Sequence, residues 1–197
     1  IAEYFKDQGY DVLLMMDSLT RYAMAQREIG LAIGEPPIAR GYTPSIYAEF
    51  PKLLERSGNF GKGSITGVYT VLVEGDDTNE PISDTVRGIL DGHIVLSRQL
   101  ANENHFPAID IGASISRLMV EIVSDDHQKL SSKLRNILSL YQKNADLISI
   151  GAYKRGTNPA LDEAVSKINA INAFLQQGIR ERFTYEETVE QIRAITG

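Results

Sequence analysis

The chain has 197 residues, which is long enough to bury a hydrophobic core. Its formal net charge is −6 and its isoelectric point is near 5.1. Such an acidic chain is poorly suited to wrapping nucleic acid, because that binding requires Lys and Arg to neutralise phosphates. It contains no cysteine, which excludes disulfides and thiolate metal sites and fits a reducing cytoplasm. No apolar stretch approaches the ~20 residues that a membrane span requires.

The first feature in chain order is a short helical pattern with Ile1, Tyr4 and Phe5 on one face and Gly9 at its end. Because this helix is already under way at Ile1, we expect the chain to be part of a longer protein whose preceding part is absent here.

Five apolar residues, Val12 to Met16, follow and stop on a carboxylate, Asp17. An unbroken apolar run is typical of a parallel strand buried on both faces. A carboxylate after such a strand lies where open α/β sheets bind ligands, so Asp17 is a candidate Walker B residue that holds the water shell of a nucleotide-bound Mg²⁺. An ordinary buried strand that ends in a helix-capping Asp is the alternative.

The next segments predict a helix from Leu19 to about Ala32 and a break at 34–37. A second helix follows the turn at 41–44, with Ser45 as its cap, and a β-branched run at 64–73 predicts a second buried strand.

The glycine-rich loop at 58–63 is not a phosphate-binding loop. That motif requires GxxxxGK followed by Ser or Thr, whereas Lys62 is followed by Gly63 and Arg56 stands five residues before Gly61. The loop also leads into a predicted strand, whereas a phosphate loop must open a helix. We therefore interpret it as a mobile surface connection.

An acidic loop at 74–80 precedes a helix that begins at Pro81. It lacks the spacing of a calcium-binding loop, so a solvated loop is the simpler interpretation. Further strands are predicted at 93–97 and 108–111. Strands that alternate with helices in this way predict an α/β fold with a mostly parallel sheet.

Two residues near the fourth strand could carry chemistry. Arg117 follows this strand, and its permanently charged, planar guanidinium suits a terminal phosphate, although a structural ion pair is the simpler interpretation of this residue alone. Phe106, before Pro107, could be a ligand platform or a core residue. The three histidines, at 93, 105 and 127, lack metal-ligand spacing.

From about residue 124 the pattern becomes entirely helical. Asn158 and Pro159 open one helix, which Gly178 is expected to close, and Thr184 with Glu187 forms a capping box before another. We therefore predict two domains, 1–123 with the sheet and 124–197 as a small all-α domain.

Six segments together resemble the second half of a rotary-type ATPase subunit, in the branch that powers type III protein export. They cover nearly the whole chain and are VLLMMDSLTRYAMAQREIGLAIGEPP, ARGYTPSIYAEFPKLLER, GSITGVYTVLVEGDDTNEPISD, RGILDGHIVLSRQLA, FPAIDIGASISR and FLQQGIRER. The amino-acid sequence of these and neighbouring segments, notably ISIGAYKRGTNPALDEA, is more similar to the flagellum-specific export ATPases than to the virulence-secretion ATPases.

The resemblance implies a partial RecA-like P-loop NTPase core, from the Walker B strand onward, and a role for particular residues. Asp17 matches the Walker B aspartate, Arg21 an arginine near the terminal phosphate, and Arg117 an arginine finger that reaches the neighbouring subunit's site. Phe106 matches an aromatic residue that packs on adenine. The segment 178–185, with Phe183 and Tyr185, corresponds to a region that closes over the base. The phosphate loop and the catalytic glutamate would lie before Ile1.

The resemblance further implies hydrolysis of Mg-ATP by a cytoplasmic homohexamer at the cytoplasmic face of an export apparatus, peripheral to the membrane at most. Stalk and regulator proteins and chaperone–substrate complexes are the implied partners. A virulence-type export ATPase is the nearest alternative. The chain by itself could also be a non-catalytic structural or interaction module, and the acidic balance disfavours a nucleic-acid translocase.

Overall fold

The structure, a computed structural model, describes residues 1–77 and 79–197. They form two compact units, Ile1–Asp91 and Gly92–Gly197. The predicted acidic loop includes Thr78, which lies outside the described residues. In the described ranges, none of the helices combines the length and the apolarity needed to cross a bilayer.

The first unit contains four helices and three strands within its described residues. They are α1 Ala2–Asp7, β1 Asp11–Met16, α2 Leu19–Ala32, α3 Pro44–Leu54, β2 Gly58–Asn59, β3 Ser64–Tyr69 and α4 Pro81–Ile89, with 3-10 turns at Ala39–Gly41 and Glu74–Asp76. The helix predicted from Leu19 to Ala32 is confirmed.

The sheet of the first unit has the order β1-β3-β2. β1 and β3 pair in parallel, from Asp11 opposite Ser64 to Met16 opposite Tyr69, which confirms the parallel arrangement predicted for the two long strands. β2 pairs antiparallel with the start of β3, so the predicted glycine-rich connection is a short hairpin at the surface.

β3 is shorter than the predicted strand at 64–73 because, after a last backbone bond from Thr70 to the end of β1, the chain bonds through Leu72 to the first turn of α2. Thr70 N donates to Met16 O at 3.1 Å, and Leu72 N donates to the Thr20 hydroxyl at 2.8 Å. The two strands therefore end together, and the chain beyond them is held against the start of α2.

The core of the first unit lies between its helices and one face of the sheet. Buried side chains from α2, α3 and α4 and from Tyr42, which lies just before α3, form it, with Met16 and Tyr69 packed against it: Leu19, Ala23, Tyr42, Ile46, Phe50, Leu54, Ile82 and Val86. The burial predicted for both faces of β1 is wrong here, since Leu13 and Met15 are 63% and 73% exposed. Among the described residues, helices pack against only one face of this strand.

The predicted cap of α3 is also wrong. Thr43 is the N-cap residue and Pro44 is the first residue of the helix, a position that suits proline because its fixed φ is helical and its missing N–H would have no partner there. Ser45 N donates instead to Glu35 Oε2 at 3.2 Å.

The second unit consists of a strand pair followed mainly by helices. Its elements are β4 Gly92–Leu96, α5 Arg98–Asn102, β5 Ile109–Ser116, α6 Met119–Ile122, α7 Asp125–Lys143, α8 Ala145–Ser149, α9 Pro159–Leu175 and α10 Tyr185–Thr196. The predicted capping box is confirmed by mutual bonds between Thr184 and Glu187. α9 ends at Leu175, before the predicted end at Gly178.

The parallel arrangement expected for β4 and β5 is wrong, because these strands pair antiparallel, with Leu96 opposite Ile109 and Gly92 opposite Ser116. A parallel pair needs a long crossover that returns to the same end of the sheet. The five-residue helix α5 lies instead in a connection that reverses the chain direction.

The helices of the second unit share a core of their own. It is formed by apolar side chains of α7, α9 and α10: Leu134, Ile137, Leu138, Leu161, Ala164, Ile168, Ile171 and Ile192. Arg135 of α7 donates to Ser114 O at 3.2 Å, which ties this helix to β5. The boundary predicted between 123 and 124 falls inside this unit and stays a prediction.

Candidate functional site

Asp17 lies where β1 and β3 end side by side. Thr70 directly follows β3, and its hydroxyl donates to Asp17 Oδ1 at 2.6 Å. Because the strand register sets Met16 opposite Tyr69, the next residues along the two strands, Asp17 and Thr70, come together. Asp17 is exposed, and its second carboxylate oxygen forms no hydrogen bond to a described residue, so Thr70 holds one oxygen while the other has no protein partner among the described residues.

The turn from β1 into α2 is held firmly. Ser18 caps α2, with its hydroxyl accepting from Arg21 N at 3.3 Å, and the peptide bond between Asp17 and Ser18 is cis. Leu19 N donates to Thr70 O at 2.9 Å, and Thr20 Oγ1 donates to Leu72 O at 3.2 Å. These bonds position Asp17 and the first turn of α2 relative to β3.

Arg21 extends from this capped first turn of α2. Its side chain is exposed, and its guanidinium forms no ion pair within the described part of the chain. The structure thus brings Asp17 and Arg21 to one strand–helix turn, with a carboxylate held by Thr70 and a cation on the adjacent helix.

The acidic loop ends in a buried carboxyl group. Glu80 is only 6% exposed, and its Oε2 has no hydrogen-bond partner, like the buried hydroxyl of Tyr47. Burial raises the pKa of Glu80, Arg40 lowers it in part, and the charges of Glu74 and Asp77 raise it further. Desolvation of a carboxylate without a donor explains the direction of this shift.

The residues of the first unit fit a magnesium ion that is held mainly by other ligands. No group of three or more His, Asp or Glu side chains in the described ranges could hold a metal. Mg²⁺ usually keeps several waters and is bound through one or two carboxylates together with substrate phosphates. The exposed carboxylate of Asp17, with only one oxygen bonded to a described residue, is compatible with that mode of binding.

Arg117 directly follows β5 in the second unit and is exposed. The strand before it is well anchored, since Ser114 Oγ donates to Asp110 O at 2.6 Å and accepts from Val95 N at 2.9 Å. The backbone that carries Arg117 is therefore fixed to β4 as well as to α7.

Phe106 lies beside the segment that follows α9. Gln177 N donates to Phe106 O at 2.9 Å, and the side chain of Gln176 is 3.4 Å from His105 Nδ1. His105 is buried, whereas the ring of Phe106 is 52% exposed. The backbone is thus anchored at this point while the aromatic ring remains accessible.

Phe183 and Tyr185 lie on either side of Thr184, the N-cap residue of α10, and both are about half exposed, at 51% and 57%. The hydroxyl of Tyr185 is 2.7 Å from His127 Nδ1 on α7. The segment 176–184 therefore joins Phe106 at one end to the rings of Phe183 and Tyr185 at the other, all within the second unit.

Sequence reasoning missed three residues that position the predicted ones. Thr70 could have been found as a polar residue after the second parallel strand, since neighbouring parallel strands end at one edge. Gln177 acts through its backbone, which the sequence does not reveal. His127 contacts Tyr185 across 58 positions of the chain, and no local pattern indicates that pairing.

Two family models match this chain. The model of the ATP synthase alpha/beta family, nucleotide-binding domain, matches residues 1–116. The chain belongs to the ATP synthase alpha/beta family. The model of the T3SS EscN ATPase C-terminal domain matches residues 123–194.

Individual family members agree with this result. The chain is 56% identical over 197 residues to the flagellum-specific ATP synthase of Bacillus subtilis (strain 168), covering 100% of this chain and 45% of that protein. The chain therefore spans about half the length of the curated relatives that it matches.

Solved structures of family members share its fold. The assembled ATPase EscN from the type III secretion system of enteropathogenic E. coli matches with a TM-score of 0.97 and 50% identity, over 100% of this chain and 48% of that one. EscN in complex with its central stalk EscO matches with a TM-score of 0.90 and 49% identity, over 100% and 47%. The predicted fold class, a partial P-loop NTPase core with a helical C-terminal part, is confirmed.

Proposed function

We propose that this chain is part of an ATPase that hydrolyses Mg-ATP to energise type III protein export, more specifically flagellar export. The observation that carries this proposal is the arrangement at the carboxyl ends of β1 and β3, where Thr70 orients Asp17 in a chain of the nucleotide-binding family. Ligands bind at this edge of α/β sheets. The flagellar choice is supported by the 56% identical relative of that name.

The predicted site residues divide by role in this proposal. Asp17 orients the water shell of the metal, and Arg21 contributes positive charge near the terminal phosphate. Phe106, Phe183 and Tyr185 offer ring surfaces to the adenine base. When bound, Mg²⁺ would neutralise phosphate charge.

Arg117 is the proposed arginine finger, which stabilises transition-state charge in the site of a neighbouring subunit of a homohexamer. Such a finger is typically worth about 10³ to 10⁵ in rate. Its anchored position after β5 supports a precise reach. EscN has been solved as an assembled ATPase, which supports an oligomer.

The domain organisation and the partners belong to the same proposal. We propose a nucleotide-binding domain at 1–123 and a helical domain at 124–197. One matching family model ends at residue 116 and the other begins at residue 123, which supports a boundary in this region. A stalk protein is a proposed partner because EscN is known in complex with a stalk. Regulator proteins and chaperone–substrate complexes are further proposed partners. The proposed location is the cytoplasm, at the export apparatus.

A second candidate function applies to the 197 residues by themselves. They contain no GxxxxGK[ST] sequence, so the chain alone lacks the backbone cradle that binds phosphates. By itself it would therefore act as a non-catalytic structural or interaction module.

The test compares this chain with its full-length parent in magnesium-dependent phosphate release. We expect turnover by the parent, a loss of about 100-fold or more in its Asp17→Asn variant because the metal shell loses its carboxylate, and no turnover by the chain alone. Undiminished turnover in Asp17→Asn would refute the role of Asp17. Turnover by the chain alone would refute the need for a phosphate cradle.

A further inference from the structure

The first turns of α7 and α10 are joined by a contact between His127 and Tyr185. Tyr185 Oη lies 2.7 Å from His127 Nδ1, and the two rings meet at an interplanar angle of 61° with their centroids 5.5 Å apart. The contact thus combines a hydrogen bond with an edge-on ring arrangement, which is a favourable geometry for aromatic pairs.

Both partners are themselves held by helix caps. His127 N donates to the hydroxyl of Ser124, the N-cap of α7, at 3.3 Å. Tyr185 is the first residue of α10, directly after Thr184, whose hydroxyl accepts from Glu187 N at 3.1 Å. Because the two backbones are fixed, the contact sets the direction of the Tyr185 ring.

The same contact fixes one end of the segment 176–184, which contains neither helix nor strand. Its other end is bonded to Phe106 through Gln177 N at 2.9 Å. Inside the segment, Gly178 N donates to Glu181 Oε2 at 2.7 Å. A loop that is held at both ends presents Phe183 in a restricted range of positions.

A second link between α7 and α10 provides a natural comparison. Arg193 pairs with Asp126 at 2.9 Å, with both side chains about half exposed. Exposed ion pairs of this kind contribute little to stability. It joins the same two helices without using either aromatic side chain, so it separates general anchoring of α10 from control of the Tyr185 ring.

We propose that His127 is a positioning residue for the base contact: through Tyr185 Oη it fixes the start of α10 and thereby the ring surfaces of Tyr185 and Phe183. The proposal rests on the proposed function, in which these rings meet adenine. It also means that Tyr185 recognises the base with its ring, because its hydroxyl has its partner within the protein.

The test measures ATP turnover of the full-length parent in four variants. His127→Phe and Tyr185→Phe should each raise KM for ATP about 3- to 10-fold with kcat within about two-fold, because the remote contact serves binding rather than the chemical step. His127→Gln, which keeps a hydrogen-bonding group, should restore most of the affinity. Arg193→Gln should leave KM unchanged.

A double-mutant cycle shows whether His127 acts on KM through Tyr185 or whether the two residues act on KM independently. The double variant His127→Phe/Tyr185→Phe should raise KM no more than either single change, because the second change removes a contact already lost. Additive effects, or an equal rise in Arg193→Gln, would overturn the proposal. A nitrogen NMR spectrum of this chain should also show a shift of His127 Nδ1 in Tyr185→Phe, and an unchanged resonance would overturn the hydrogen bond itself.

Tyr185→Ala distinguishes this proposal from the function on which it rests. A raised KM in Tyr185→Ala together with a normal KM in His127→Phe would refute the positioning role of His127 but would leave the base contact of Tyr185 standing. A normal KM in Tyr185→Ala would refute the base contact, and with it both proposals about this ring.

Discussion

Asp17 shows how a predicted residue depends on a partner that was not predicted. The apolar run of β1 predicts where a carboxylate would stand, but the orientation of that carboxylate is set by Thr70, which donates to Oδ1 at 2.6 Å. That partner follows from the register of β1 against β3. Register is a property of the assembled sheet, so a search along the sequence alone does not provide it.

Thr70→Val in the full-length parent tests this orientation. Removing the hydroxyl should lower magnesium-dependent turnover about 10-fold, because groups that orient a metal-binding carboxylate typically matter by one to two orders of magnitude. Steady-state kinetics with varied magnesium checks this, and the loss should shrink as magnesium is raised.

Thr66→Val is the matched control for Thr70→Val, because Thr66 lies earlier on β3, opposite Leu13, and is exposed. It should leave turnover unchanged. Equal losses in the two variants would mean that the changes act on the strand and not on Asp17.

Glu80→Gln tests the buried carboxyl group through its pH dependence. Burial raises the pKa of Glu80, so ionised Glu80 destabilises the folded state, whereas the protonated form does not. Its favourable contribution is complete below the unfolded pKa and is lost as pH rises through the folded pKa. Glu80→Gln should therefore unfold at higher temperature than the wild type at neutral pH.

This difference between Glu80→Gln and the wild type should vanish in acid, where both side chains are neutral. Thermal unfolding followed by circular dichroism across that range checks the sign. A stabilisation that persists unchanged at acidic pH would show that Glu80 acts through packing rather than through its charge.

At the scale of the elements, helix positions were more predictable than helix ends and strand environments. The bounds of α2 and the capping box of α10 were correct because capping and helical periodicity are local in the sequence. The cap of α3 was misassigned because a Thr-Pro-Ser sequence offers two starts. The exposed face of β1 depends on what packs against it, which the apolar run does not encode.

The crossing of α2 and the start of α3 provides a sharp test of packing. A Cβ added to Gly30 would lie 2.4 Å from the hydroxyl of Thr43, whereas one added to Gly88 in α4 would meet nothing within 4 Å. Thr43 is completely buried, so it has little room to move. Gly30 is therefore required by the close approach of these segments.

Gly30→Ala should lower the free energy of unfolding by about 1 to 3 kcal/mol, the usual cost of overpacking. Gly88→Ala should raise it by about 0.5 to 1 kcal/mol, since alanine favours helices over glycine. Urea denaturation of the two variants beside the wild type measures both. A Gly30→Ala variant as stable as the wild type would contradict the described crossing.

At the scale of the whole molecule, fold class and the parallel pairing of β1 with β3 were predictable because they follow from the order of strands and helices, whereas the direction of β5 relative to β4 was not. β4 and β5 lie antiparallel although a short helix stands between them. Two of the predicted roles concern other chains: the reach of Arg117 into a neighbour and the binding of a stalk. A single chain contains the residue but not its target.

The central claim is that Asp17 and Arg117 serve one nucleotide site from different subunits. It is tested most directly by mixing full-length Asp17→Asn and Arg117→Ala before assembly and measuring ATP turnover. Arg117→Ala alone should bind nucleotide almost normally but not hydrolyse it. In the mixture, about a quarter of sites in a symmetric ring would combine an intact Asp17 with a neighbour's intact Arg117.

We therefore predict that the mixture regains turnover far above that of either inactive variant. A mixture that remains as inactive as its components would contradict the account, because it would place Arg117 in the same subunit's site as Asp17 or outside the site altogether.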